Sequence, residues 1–133
     1  MMEEVNNLIE LASRCIDGSD YSKAIMIYNS LLKEFSEEPK FWALRGYCKY
    51  HTYAAALKDF NQALMIYPNA SSTLFYRART YEYLDCLDEA LADYYKCIEL
   101  SPAADVYFNI GMIYEYRKDY KNAKISYLAG MKH

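Results

Sequence analysis

One short pattern returns four times along this chain of 133 residues. Ala24-Ile-Met-Ile-Tyr28, Ala56-Leu-Lys-Asp-Phe60, Ala90-Leu-Ala-Asp-Tyr94 and Ala123-Lys-Ile-Ser-Tyr127 each set an aromatic four residues after an alanine. Three residues further on stand Leu31, Ala63, Cys97 and Gly130, mostly small. The alanines are 32, 34 and 33 residues apart. A step of four keeps the alanine and the aromatic on one helical face, and a period near 34 is that of a two-helix unit. Such a unit cannot bury its apolar face alone, so successive units must stack. The pattern therefore predicts an all-α solenoid of about four helix hairpins.

The three prolines, Pro39, Pro68 and Pro102, each follow an alanine-aromatic segment and mark the borders between repeats, since proline ends a helix or opens the next. Turns inside the repeats fall at Asp17–Asp20, near Asp85-Cys86 and at Lys118-Asp119. Helices are expected at 3–17, 20–35, 39–51, 53–67, 71–84, 87–100, 104–117 and 120–132. The repeats run over about 5–38, 39–70, 71–103 and 104–133, as a single domain. The first helix of each repeat has its own signature at offsets 0, +3, +4 and +7, which share one face. It reads Leu8, Leu11, Ala12, Cys15; Trp42, Arg45, Gly46, Lys49; Leu74, Arg77, Ala78, Tyr81; and Tyr107, Ile110, Gly111, Tyr114. The recurring small residue admits a close partner helix. Glycine inside a helix costs up to about 1 kcal/mol against alanine, so Gly46 and Gly111 point to close packing.

Taken together, these features resemble the tetratricopeptide repeat, over nearly the whole chain. The resemblance implies a right-handed superhelix whose first helices line a concave surface for a protein segment. Repeat two departs from the pattern. Gly46 to Ala56 is 10 residues, against 12 for Ala78 to Ala90 and for Gly111 to Ala123. A tighter turn is expected around His51-Thr52.

Some tetratricopeptide co-chaperones hold the tails of heat-shock chaperones in a two-carboxylate clamp. That clamp uses Lys and Asn in the first repeat, Asn in the second, and Lys and Arg in the third. The corresponding positions here hold Ile9, Ser13, Leu44, Ser72 and Tyr76, so no chaperone-tail carboxylate clamp is expected.

Composition narrows the function further. The net charge is −3 and the 15 Lys and Arg are scattered, which speaks against nucleic acid, whose phosphates call for concentrated basic surface. No apolar run is long enough for a membrane span, and the start of the chain lacks a secretory pattern. Cys15, Cys48, Cys86 and Cys97 have neither zinc nor redox spacing, and they read as reduced, mostly packed thiols of a cytoplasmic protein. His51 and His133 have no nucleophile or carboxylate in a catalytic relation, and no phosphate loop exists among four glycines. The reading is of no enzyme, no cofactor and no metal. The 16 tyrosines suit a thin solenoid, where a packed ring can still wet its hydroxyl.

Arg45 and Arg77 are equivalent, as are Asp59 and Asp93. The arginines either grip a carboxylate or pair with the aspartates between helices, and the pairing is favoured. Off the packing face, Tyr47, Tyr50, Phe75, Tyr76, Arg79, Tyr83, Phe108 and Met112 form an expected peptide-binding groove, in residue types that dominate interface hot spots. The function expected is that of a non-catalytic adaptor for a protein or peptide segment. The alternative is self-association through the last helix, as a homodimer using Tyr127, Leu128 and Met131.

Overall fold

A computed structural model describes residues 2–133. The described residues form eight helices, α1 (Met2–Asp17), α2 (Tyr21–Glu34), α3 (Pro39–Cys48), α4 (Tyr53–Ile66), α5 (Ser71–Tyr83), α6 (Leu87–Leu100), α7 (Ala104–Tyr116) and α8 (Tyr120–Gly130). They fall into two compact units, Met1–Pro68 and Asn69–His133, each holding two hairpins. The fold is the all-α solenoid of helix hairpins that the repeat pattern predicts.

Local chemistry sets the helix ends. The Asp20 and Asp119 side chains accept hydrogen bonds from the backbone N–H of Lys23 and Asn122 and so cap α2 and α8. Pro39 opens α3 where its missing N–H costs nothing. Three of the four hairpins turn in the same way. Ser19, Asp85 and Lys118 adopt φ of 60°, 60° and 62°, and the next residue donates its N–H to a carbonyl five residues back: Asp20 to Cys15, Cys86 to Tyr81, Asp119 to Tyr114. This left-handed closure satisfies carbonyls that the ending helix leaves open.

The second hairpin lacks that closure. Its missing residues come out of the turn, so α3 ends at Cys48 rather than at 51, and Lys49 to Thr52 bridge to α4 with no left-handed residue.

In the first unit Ala12, Cys15, Ala24, Tyr28, Leu31, Leu32, Phe41 and Cys48 pack into one core. In the second unit Leu74, Ala78, Ala90, Tyr94, Ile110 and Ala123 are buried. All four repeat alanines are buried, and Tyr28, Phe60 and Tyr94 are almost wholly enclosed. Each such ring contributes about 2 kcal/mol of apolar burial. The glycines answer to close approach. A Cβ on Gly46 would stand 2.9 Å from the Phe60 ring, and one on Gly111 would stand 2.4 Å from the Tyr127 ring. The expected packing face of α1 is covered only in part, with Ala12 and Cys15 buried but Leu8 and Leu11 each 37% exposed.

The arginines belong to the hairpins. Arg45 Nε and Nη2 donate to the two Asp59 oxygens at 2.9 and 2.8 Å, and Arg77 does the same to Asp93 at 2.8 Å for both. Asp59 and Asp93 are buried, and paired charges in such a place lock helix register. Lys49 stands where the third and fourth repeats place Tyr81 and Tyr114, and its Nζ joins Asp59 at 3.1 Å. Trp42 lies under the Arg45 guanidinium at 5.0 Å and donates its Nε1–H to the Ser36 carbonyl at 2.9 Å.

Candidate peptide-binding faces

In the second unit the faces of α5 and α7 turned away from the core carry apolar rings and one guanidinium. Tyr76, Arg79 and Tyr83 follow at three and seven residues on α5, and Phe108 and Met112 at four on α7, so each set forms a stripe. All five are exposed. Phe75, beside them, is half-buried, edge-on to the Tyr94 ring at 5.9 Å and to Tyr76 at 5.9 Å. Phe108 leans on the Tyr127 ring at 5.7 Å. The second helices thus hold two of the displayed rings from beneath.

Polar groups on this side are already engaged. Arg79 Nη2 donates to the Tyr83 hydroxyl at 3.3 Å. Glu82 accepts from the buried Tyr94 hydroxyl, and Glu115 accepts from Tyr127 at 2.8 Å. Burial and then the Glu82 bond push the Tyr94 phenol well above its ordinary range, so it stays a donor. The Arg79 guanidinium stays exposed beside these rings, with the Tyr83 hydroxyl as its partner.

In the first unit Tyr47 lies in α3 and Tyr50 just beyond its end. Tyr50 lies in the turn beyond α3, and its ring packs edge-on to Tyr21 at 5.0 Å and against His51 at 3.7 Å. Tyr47 meets the same Tyr21 ring at 6.2 Å. These rings form an aromatic cluster with Tyr21 of α2, and Tyr50 remains exposed within it. A cleft of about 350 Å³ opens there, lined by Asp20, Tyr21, Ile25, Lys49, Tyr50 and His51 among others. Tyr21 escapes a reading based on first helices alone, although it lies three residues before the repeat alanine.

The last helix also divides its expected contacts. Leu128 and Met131 are exposed, but Tyr127 is half-buried beneath Gly111 and bonded to Glu115. Tyr127 is the repeat aromatic of its own hairpin. Burial raises the Cys48 and Cys97 thiols to about 11, which keeps both protonated and unreactive at neutral pH. Among the described residues no helix is long and apolar enough to cross a membrane.

Comparison with known proteins agrees with this architecture. The tetratricopeptide repeat family model matches residues 72–103 and 104–132, the two hairpins of the second unit. Hsp70-Hsp90 organizing protein 3 of Arabidopsis thaliana is 36% identical over 89 residues, 66% of this chain and 16% of that protein. Hsp70-Hsp90 organizing protein of Triticum aestivum is 34% identical over 86 residues, 64% of this chain and 15% of that protein. The chain thus spans about a sixth of the length of these relatives. Among solved structures, MamA superposes with a TM-score of 0.91 at 18% identity, over 96% of this chain and 77% of that one. The first TPR of Spaghetti (RPAP3), bound to HSP90 peptide SRMEEVD, superposes at 0.81 and 20% identity, over 87% of this chain and 97% of that one. The family model over the second unit, the relatives and the matching fold together make this chain a tetratricopeptide-repeat protein.

Proposed function

We propose that the protein is a non-catalytic adaptor that binds a peptide or protein segment on the displayed faces of its first helices. The observation that carries this reading is the pair of stripes on α5 and α7. Tyr76, Tyr83, Phe108 and Met112 present apolar area beside Arg79, on a face the hairpin core does not use. Exposed aromatic clusters with one charged anchor fit hot-spot recognition. Phe75 supports the α5 stripe from below, and Tyr47 and Tyr50 offer the first unit's own aromatic surface beside Tyr21.

The segment bound is apolar rather than a carboxylate-ended tail. The relatives named for Hsp70 and Hsp90, and the peptide-bound RPAP3 domain, make such a tail the natural competitor. Against it stand Ile9, Ser13, Leu44, Ser72 and Tyr76 at the clamp positions, which supply no cation and no amide.

The test is a quantitative pull-down from native extract with wild type beside a folded Tyr76→Ala/Arg79→Glu variant. Enrichment of one protein by wild type and its loss from the variant is the expected result. Identical protein sets on both baits would remove the α5 face from the reading. Titration with a peptide ending in Glu-Glu-Val-Asp is expected to give no saturable binding. A tight complex there would replace the apolar segment with a chaperone tail.

A further inference from the structure

The last helix presents to solvent the face that α2 and α6 turn toward the helix after them. Counting from the repeat alanines, Tyr120, Lys124, Leu128 and Met131 stand at the positions of Tyr21, Ile25, Asn29 and Leu32 in α2. In α6 the same positions are Leu87, Leu91, Tyr95 and Ile98. Inside the first unit this face meets α3. Tyr21 packs edge-on to Tyr47, Asn29 accepts from Arg45 Nη1 at 2.9 Å, and Leu32 is buried. Inside the second unit it meets α7, with Leu91 buried and the Tyr95 and Tyr114 hydroxyls 2.7 Å apart.

On α8 the equivalent residues are open. Tyr120, Leu128 and Met131 are 64%, 50% and 81% exposed. At the centre, where α2 and α6 place Ile25 and Leu91, stands Lys124, with Lys121 and Lys132 along the border. No Asp or Glu occurs from residue 120 to 133, and no ion pair among the described residues includes these lysines.

We propose that this face docks an amphipathic helix, apolar along its seam and flanked by carboxylates. The repeat register says that the site fits a helix. The lysine at its centre says that the helix brings acid. A second copy of this chain suits the site less well. Two α8 faces together would oppose lysine to lysine with no carboxylate between them. Nor does α1 of a second copy fit. Where α3 and α7 bury Phe41 and Cys48, or Val106 and Ile113, α1 carries Asn7 and Arg14, which would set Arg14 among the lysines.

The probes are two helical peptides of about 18 residues with leucine at i, i+3, i+4 and i+7, one flanked by Glu and one by Lys. Binding is followed through the backbone amide shifts of the full chain. The Glu peptide is expected to move α8 amides, to bind about tenfold or more tighter than the Lys peptide, and to weaken with salt. Lys121→Glu/Lys124→Glu, at exposed positions, is expected to reverse that preference, and circular dichroism checks that it remains helical.

Equal affinity for both peptides would overturn the proposal, as would shifts confined to α5 and α7. Two further results would replace the helix with a different occupant. One is a dimer in light scattering that Leu128→Glu disperses, which would make it a second copy. The other is binding to phosphatidylserine vesicles, lost in the double lysine variant, while neither peptide binds.

Discussion

The two units carry the same repeat plan, yet they close their hairpins by different means. In the second unit both hairpins turn through a left-handed residue, Asp85 or Lys118. Its buried carboxylate, Asp93, takes a bidentate arginine, and Tyr81 lies 5.7 Å from that guanidinium. In the first unit the α3–α4 turn has lost the left-handed closure, and Lys49 occupies the position of Tyr81. Asp59 then gathers two cations, Arg45 and Lys49. A shorter turn is therefore accompanied by a denser charge cluster. The lesson is that α3–α4 and α5–α6 keep the same Arg–Asp pair, while the turn and the aromatic beside the pair are exchanged for charge.

Removing the carboxylates should break both hairpins with the largest effects. Asp93→Ala leaves the partly buried Arg77 without its bidentate carboxylate and is expected to cost about 3 kcal/mol. Asp59→Ala strands two cations and is expected to cost more, about 4 kcal/mol, both read from urea unfolding. A smaller loss for Asp59→Ala would mean that Lys49 relaxes into water and that the extra cation is ornamental.

The glycines separate the units next. Gly111→Ala drives a methyl into the Tyr127 ring and is expected to cost about 2 kcal/mol. Gly46→Ala meets the Phe60 ring at a longer distance. Both changes recover up to about 1 kcal/mol of helix propensity, so the longer contact at Gly46 should make its loss the smaller. Equal losses would show that the two hairpins approach equally closely in solution.

A gain tests the turns. Lys118→Gly and Asp85→Gly relieve a left-handed backbone and should each stabilise by about 1 kcal/mol. Thr52→Gly, at φ −122°, should bring none.

The weakest contrast appears only in alkali. The thiols of Cys48 and Cys97 are raised from 9.0 to about 11 by burial. Unfolded thiols ionise first as pH rises, so stability held below pH 9 is lost between 9 and 11. With one such thiol in each unit, both should lose stability over that window. Cys48→Ala should flatten the decline of the first unit alone.

Much of this was open to reading from the residues because repeats repeat their errors and their rules alike. The alanine-aromatic step located every hairpin, since a small residue and a ring on one face can only serve packing there. The equivalence of Arg45 with Arg77, and of Asp59 with Asp93, made interhelix pairing the better reading before any distance was known. Helical phase has no hold on a residue where the helix stops early. Tyr50 has groove phase only if α3 continues, and a two-residue deletion ended that helix at Cys48. Phase also cannot say which side of a half-buried ring is wet. Tyr127 reads as open to a following helix, yet the absence of a side chain at Gly111 draws its ring inward. The exposed faces of α5 and α7 followed correctly from phase, because nothing interrupts those helices.

Trp42 is the only tryptophan in the chain, and it sits in the first unit beneath Arg45. The molecule therefore carries a built-in reporter of half of itself. Selective excitation of that indole follows the first unit, while helical dichroism averages over both. In a one-dimensional array stability passes from neighbour to neighbour across repeat borders. Whether a change such as Gly111→Ala in the second unit displaces the Trp42 melting curve at all therefore measures whether one unit feels the other.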